Sequence, residues 1–325
     1  DNSWIQLNAN NFSDSWAPQD QTLQAGSFAQ QFKIIEAWSS FAWDSNRGEL
    51  VFWGGGHANY TGNDVYTWGA DSLEWERASL PSAIEKPAPN DFSISYNTVD
   101  GVDNAPISSH TYDSQFYFEN ADRFVTMGGA AFNDGDAFRR FTEDPNTGVV
   151  TAERTGPYFW DPSKADPNKV GGLTGSQVDP ANNPSVIGGE MWENRNSAGQ
   201  LGNPINFNTT SAVDNDATND RALIQNNLGL FEYIAPDVND SSLDEFNKIG
   251  DFGLNSGITE QGAGAYDPVR DIYLRTLDGD KNSGNAFTFW DLAGATGGTD
   301  CPVVDITCNN LISGADINVV GGTIN

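Results

Sequence analysis

Basic side chains are scarce in this 325-residue chain: 16 Lys and Arg stand against 45 Asp and Glu, and the formal charge is −29. The deficit argues against a nucleic-acid partner, because phosphate binding needs Lys and Arg to displace condensed counterions. It argues equally against an anionic membrane surface. Long apolar runs are missing too, and no stretch approaches the roughly 20 residues that cross a bilayer as a helix, so no membrane insertion is expected. Cysteine is reduced to Cys301 and Cys308, set as "CPVVDITC" with no histidine near them. Such a pair fits a local disulfide in an exported protein better than a metal site. The start at Asp1 fits a processed or a trimmed N-terminus, and high acidity keeps a protein soluble in salty surroundings. The expected location is secreted, extracellular or at the cell surface. Histidine is as rare as cysteine, with only His57 and His110.

What the chain has in plenty is turn formers, with Gly 34 and Pro 15, and these punctuate a repeat. "FAWDSNRGELVFWGGG" (41–56), "FYFENADRFVTMGG" (116–129), "SQVDPANNPSVIGG" (176–189) and "GAYDPVRDIYLRTLDG" (264–279) share one outline. Each runs from a strand through an acidic turn, at Asp44, Glu119, Asp179 or Asp267, into a second strand, and the first three end in Gly-Gly. Aromatic strand pairs follow in "DVYTWGADSLEWERAS" (64–79), "LGLFEYIAP" (228–236) and "NAFTFWDLAG" (285–294), while the second unit continues instead with "AFRRFTEDPNTGVVTAERT" (137–155). Each unit reads as a four-stranded antiparallel meander, and repeated meanders of this size predict an all-β propeller.

These residues resemble the kelch-like β-propellers, whose blades carry a hydrophobic strand ending in Gly-Gly, then a Tyr, then a Trp. Gly54, Gly55 and Gly56, followed by Tyr66, Trp68 and Trp75, match that outline best. The reading is a single propeller domain over 1–325, with an N-terminal strand and loop at 1–37. Blades are expected near 38–80, 106–156, 172–236 and 258–294, and 295–325 forms a tail or the start of a last blade. Five to seven blades are expected, with "SWIQLNA" and "ADINVVGGTIN" completing the ring or with the C-terminal portion incomplete. Stretches 81–107 and 194–222 are expected as long loops over one face.

In a meander of this kind the loop between second and third strands and the connection between blades emerge on the same face. "GGHANYTGN" places His57, Asn59, Tyr60 and Asn63 there, and "PISSHTYDSQFYF" places His110 and Tyr112 there from the next blade. Histidine suits proton transfer near neutral pH and metal ligation alike. Arg139, Arg140, Glu190 and Arg195 are available from nearby strands and loops as further ligand contacts. The alternative for each is ordinary: a loop His bonding a carbonyl, a core Tyr, a solvated Arg. Gly54 to Gly56 are expected to supply positive φ and close blade packing rather than a phosphate loop, since no Lys-Ser/Thr follows. "DGDKNSGN" sets Asp278, Asp280 and Asn282 at the alternating positions by which oxygen ligands wrap Ca²⁺, but its glycine falls one place late and no Glu stands at the twelfth position, so a polar turn is the preferred account. No other cofactor is expected.

Two functions fit. One is an extracellular binding or structural module for a polysaccharide or protein partner. The other is a polysaccharide lyase acting on uronic-acid glycans. The chain distantly resembles ulvan-lyase-type propellers, which implies His57 as base or carboxylate partner, Tyr112 or Tyr60 as acid/base and an Arg such as Arg139 as clamp. It departs from them in carrying Trp53 where a carboxylate-neutralising amide is expected. Sialidase boxes, a Gly-x-Ser-x-Gly elbow and a Cys–Tyr copper site are all missing.

Overall fold

The structure is a computed structural model that describes residues 5–18, 30–85, 96–132, 135, 138–173, 186–196, 209–215, 220–226, 228–250, 261–277, 286–292 and 304–305. Short alternating strands joined by acidic turns dominate it. In the first sheet Phe41–Asp44, Glu49–Phe52, Tyr66–Gly69 and Trp75–Arg77 pair antiparallel in chain order. The period of two sends Ala42 and Val51 to one face and Phe52 and Tyr66 to the other. The turn between its first two strands closes because Asp44 Oδ1 accepts the Arg47 N–H at 3.0 Å, and Gly48 supplies a φ of 68°. Asp267 does the same in the fourth sheet, accepting from Val269 at 2.9 Å.

Three further sheets repeat the meander. They comprise Gln115–Phe118, Arg123–Thr126, Tyr158–Trp160 and Trp192–Asn194; then Thr210–Asp214, Arg221–Asn226, Gly229–Ile234 and Glu245–Gly250; then Gly264–Asp267, Ile272–Leu277, Ala286–Asp291 and Val304–Asp305. The first strand of each sheet contacts the first strand of the next, so the innermost strands follow one another around an axis. The chain is thus all-β and propeller-like, with four blades among the described residues. Apolar side chains fill the gaps between them: Trp53, Phe124, Trp160 and Trp192 between the first and second blades, Phe118, Phe159 and Tyr233 between the second and third, Leu223, Tyr273 and Trp290 between the third and fourth. Buried aromatics of this size contribute about 1.5–3 kcal/mol each through area alone.

Polar staples join the same gaps. Arg47 donates to both carboxylate oxygens of Asp122, at 2.6 and 2.8 Å, and Asp220 takes the Ala121 N–H at 2.8 Å. Each staple runs from the first hairpin turn of one blade to that of the next or its lead-in.

Several expectations need correcting. Four blades are present among the described residues, and the segments expected to complete five to seven lie largely outside them. Ile5 and Leu7 of "SWIQLNA" are exposed and form no strand, and this segment instead leads to a 3₁₀ turn, Phe12–Ser15, whose Phe12 covers Trp75. "ADINVVGGTIN" lies outside the described residues, as do both cysteines. The segment 137–155 does not complete the second blade. Arg139–Glu143 and Val150–Arg154 form a hairpin of their own, and Tyr158–Trp160 and Trp192–Asn194 take the outer positions because their aromatics bury fully. Nor is 194–222 one long loop: Thr210–Asp214 and Arg221–Asn226 within or overlapping it open the third blade. In the 81–107 stretch, Ile84–Glu85 pairs with Asn97–Thr98.

Candidate functional site

Both histidines come to one place. His57 lies in the loop between the second and third strands of the first blade, and His110 lies on the lead-in to the second blade. Their ring centroids are 5.3 Å apart with planes at 54°. The three glycines bring this about. Gly54 and Gly55 adopt φ of 125° and 85°, and a Cβ on Gly56 would lie 2.4 Å from the backbone of Ser109. Only a bare backbone lets the loop lie flat on the Ser109–His110 strand, so the glycines are architectural as expected.

Asn59 fixes His110. Its Nδ2 lies 2.9 Å from His110 Nε2, and with the amide donating, the neutral ring carries its proton on Nδ1. Burial, and then the neighbouring His57, push the His110 pKa down to about 4. The ring is therefore neutral across the physiological range. His57 is half-buried, its Nδ1 is enclosed without a hydrogen-bond partner, and its ring occupies the space a Cβ on Gly135 would need.

Two aromatics complete the cluster. The Tyr112 ring stands edge-on to His110 at 6.0 Å, and burial raises its hydroxyl pKa. Trp38 packs on His110 at 4.8 Å and 36°, yet remains 55% exposed, so its indole presents a face to solvent. Trp38, His57 and Tyr112 hold φ of 46°, 61° and 50°. Left-handed backbone at non-glycine residues is costly and tends to gather where a side chain must be aimed. Here three such residues share one cluster, with Tyr112 N–H bonded to the Trp38 carbonyl at 2.8 Å.

The remaining sequence candidates sit elsewhere. Tyr60 is 1% exposed and donates to Asp64 Oδ1 at 2.7 Å, while Tyr66 donates to the other oxygen at 2.5 Å. Its hydroxyl is committed to the core. Asn63 is also buried, with its amide spent on Ser82 and the Pro106 carbonyl. Arg195 is wholly internal: it grips Asp244 through two nitrogens at 3.0 and 2.7 Å, donates to three further oxygens, and covers the Phe159 ring. It joins the second blade to the third. Arg140 pairs with Asp103 and Glu153 on the outer hairpin. Arg139 lies opposite Arg154 on that hairpin, and burial together with Arg139 lowers the Arg154 pKa to about 10. Glu190 is exposed, with its carbonyl taken by Lys164 at 2.9 Å. Asp278, Asp280 and Asn282, the candidate Ca²⁺ ligands, lie outside the described residues.

Sequence reasoning missed Trp38, though a signal existed. Trp38 and Tyr112 each stand three residues before the innermost strand of their blade, in "WSSF" and "YDSQ". Aligning those lead-ins would have placed both on one face. It also missed Asp113, the next residue, whose Oδ2 accepts the N–H groups of Ser211 at 3.0 Å and Gly264 at 2.7 Å, linking the second blade to the third and fourth. Desolvation lifts its pKa to about 7 despite those donors and the nearby Arg275.

No protein-family profile matches this chain, and no curated protein matches it.

Proposed function

We propose that this chain is a secreted, kelch-like glycan-binding propeller, and that Trp38, His57, Asn59, His110 and Tyr112 form its recognition site. Trp38 carries the reading. A half-exposed indole, held in a strained backbone conformation beside an amide, a phenol and two imidazoles, offers a flat apolar face with polar groups at its rim. Pyranose rings, apolar on one face and hydroxylated at the edge, suit that combination. The strongly acidic chain favours a neutral glycan over a polyanion. The test is a glycan array followed by titration of the best binder against wild type and Trp38→Ala. Loss of binding in a variant that folds normally supports the reading, and unchanged binding rejects it.

A second reading, the polysaccharide lyase, is favoured by one observation: a neutral His110 beside His57 and Tyr112. In that chemistry an imidazole takes the proton α to the uronate carboxylate. The electron pair forms the C4–C5 double bond, and the leaving oxygen departs with a proton from Tyr112. Against it, Arg140 and Arg195, two of the arginines expected as ligand contacts, are paired elsewhere. Growth of unsaturated-uronate absorbance, abolished by His57→Ala with His110→Ala, would select this reading over simple binding.

A further inference from the structure

Three groups of the histidine cluster keep an open side: a donor, an acceptor and an apolar face, none of them an acid or a strong base. The Cε1–Nδ1 edge of His57 fills the space beside Gly135, where a Cβ would lie 2.4 and 2.8 Å from those two atoms. Nδ1 is enclosed there without a partner, whereas Nε2 lies farther from that point, at 3.6 Å, and stays open. Orphaned N–H groups are rarer inside proteins than under-satisfied acceptors, so the neutral ring keeps a lone pair on Nδ1 and its proton on Nε2. His57 thereby offers an N–H donor outward.

Asn59 offers the complement. Its Nδ2 is spent on His110 Nε2 at 2.9 Å, which leaves the Oδ1 of the same half-buried amide as an acceptor. Trp38, exposed and packed on His110, supplies the apolar face. Among the described residues no charged side chain hydrogen-bonds to any of these three, and the carboxylate of Asp113 nearby is turned to Ser211 and Gly264. A secondary amide of the acetamido type answers all three groups at once: its carbonyl accepts, its N–H donates, and its methyl lies on an aromatic face. A sugar hydroxyl meets the donor or the acceptor but brings no methyl. A carboxylate brings no N–H, and it would enter a site without a cation in a chain of formal charge −29.

We infer that the cluster recognises an N-acetylated amino sugar, with the acetamido carbonyl accepting from His57 Nε2–H, its N–H donating to Asn59 Oδ1 and its methyl against Trp38. The inference rests on the glycan-binding reading of this site and narrows it to one sugar class. The experiment is calorimetric titration of the whole chain, at mildly alkaline pH and physiological salt, with three probes: the β-1,4-linked N-acetylglucosamine trimer, cellotriose and trigalacturonate. The acetylated trimer is expected to bind at least about tenfold more tightly than either of the others, because each of those leaves part of the site unmatched. His57→Ala should erase that preference by lowering the acetylated trimer to the level of cellotriose, and Trp38→Ala should weaken both. The comparison of probes on the wild-type protein needs neither variant to fold. Equal or tighter binding of cellotriose or of trigalacturonate overturns the inference, as does no binding by any probe or a preference that survives His57→Ala. Cellotriose binding as well as the acetylated trimer, with both lost in Trp38→Ala, would sink the inference alone; the glycan-binding reading itself falls only where Trp38→Ala changes nothing.

Discussion

The imidazole rings of His57 and His110 lie 5.3 Å apart although the residues belong to different blades, and Asn59 holds the second of them through its Nε2 at 2.9 Å. The pair is built by the scaffold. His57 reaches it by a loop of glycines, and His110 by the short strand that the loop covers.

Replacing Asn59 tests how much of the site depends on that hydrogen bond. Asn59→Ala removes the donor to a buried ring, leaving Nε2 unpaired at a cost of about 1–3 kcal/mol. The expected result is a modestly less stable protein whose His110 resonances shift and broaden in NMR spectra. Unchanged imidazole shifts would mean that the amide does not orient the ring.

Arg195 yields a prediction of opposite character. Its side chain and that of Asp244 are both fully buried, and Tyr233 donates to the same carboxylate at 2.7 Å. Truncating one partner strands a buried charge. Arg195→Met should therefore cost about 3–5 kcal/mol, while Arg195→Met with Asp244→Leu should recover much of that loss. Urea unfolding of the single and double variants measures both, and a single variant as stable as wild type would refute the staple.

Much of this fold was legible because strand alternation and turn chemistry are local. Asp44 and Asp267 announce their turns, and Tyr66, Trp68 and Trp75 announce the outer strands of the first blade. The second blade misled because its outer strands are delivered by distant segments. Arg139–Glu143 holds a single apolar side chain and stays partly exposed, whereas Tyr158–Trp160 wins its place by burying three aromatics. The histidine face was legible from topology alone. Arg195 was not, because a sequence shows an arginine's charge but not whether Asp244, far along the chain, meets it in the core.

Gly129 and Gly148 separate the two uses of glycine. Both hold positive φ, 144° and 67°. A Cβ on Gly129 would lie 1.9 Å from the His110 carbonyl oxygen, whereas around Gly148 the nearest atom is the end of Glu143 at 3.9 Å. Gly148→Ala should then cost only the left-handed penalty, about 1–2 kcal/mol. Gly129→Ala must also push the His110 strand away, so it should lower the melting temperature considerably more and disturb the His57–His110 pair. Equal effects in a thermal melt would contradict the close packing of that strand.

His110 and Asp113, three residues apart, set opposing pH dependences. The folded His110 has a pKa of about 4 against an ordinary 6.5, so across that interval the unfolded chain takes up a proton that the folded chain refuses. Stability from this group rises with pH between about 4 and 6.5, by at most about 3 kcal/mol. Asp113 is raised from 3.8 to about 7, so there the folded chain keeps a proton that the unfolded chain releases, and stability falls as pH climbs through that range. The two contributions offset each other below 6.5, and only the Asp113 loss continues to about 7. Urea midpoints measured against pH should show this as differences from wild type, which remove the background of other carboxylates. His110→Gln should gain stability relative to wild type as pH falls toward 4. Asp113→Asn should gain it as pH rises toward 7, because an amide there still accepts from Ser211 and Gly264 without carrying a buried charge. If the two variants shift the profile in the same direction, the opposite environments assigned to these neighbours are wrong.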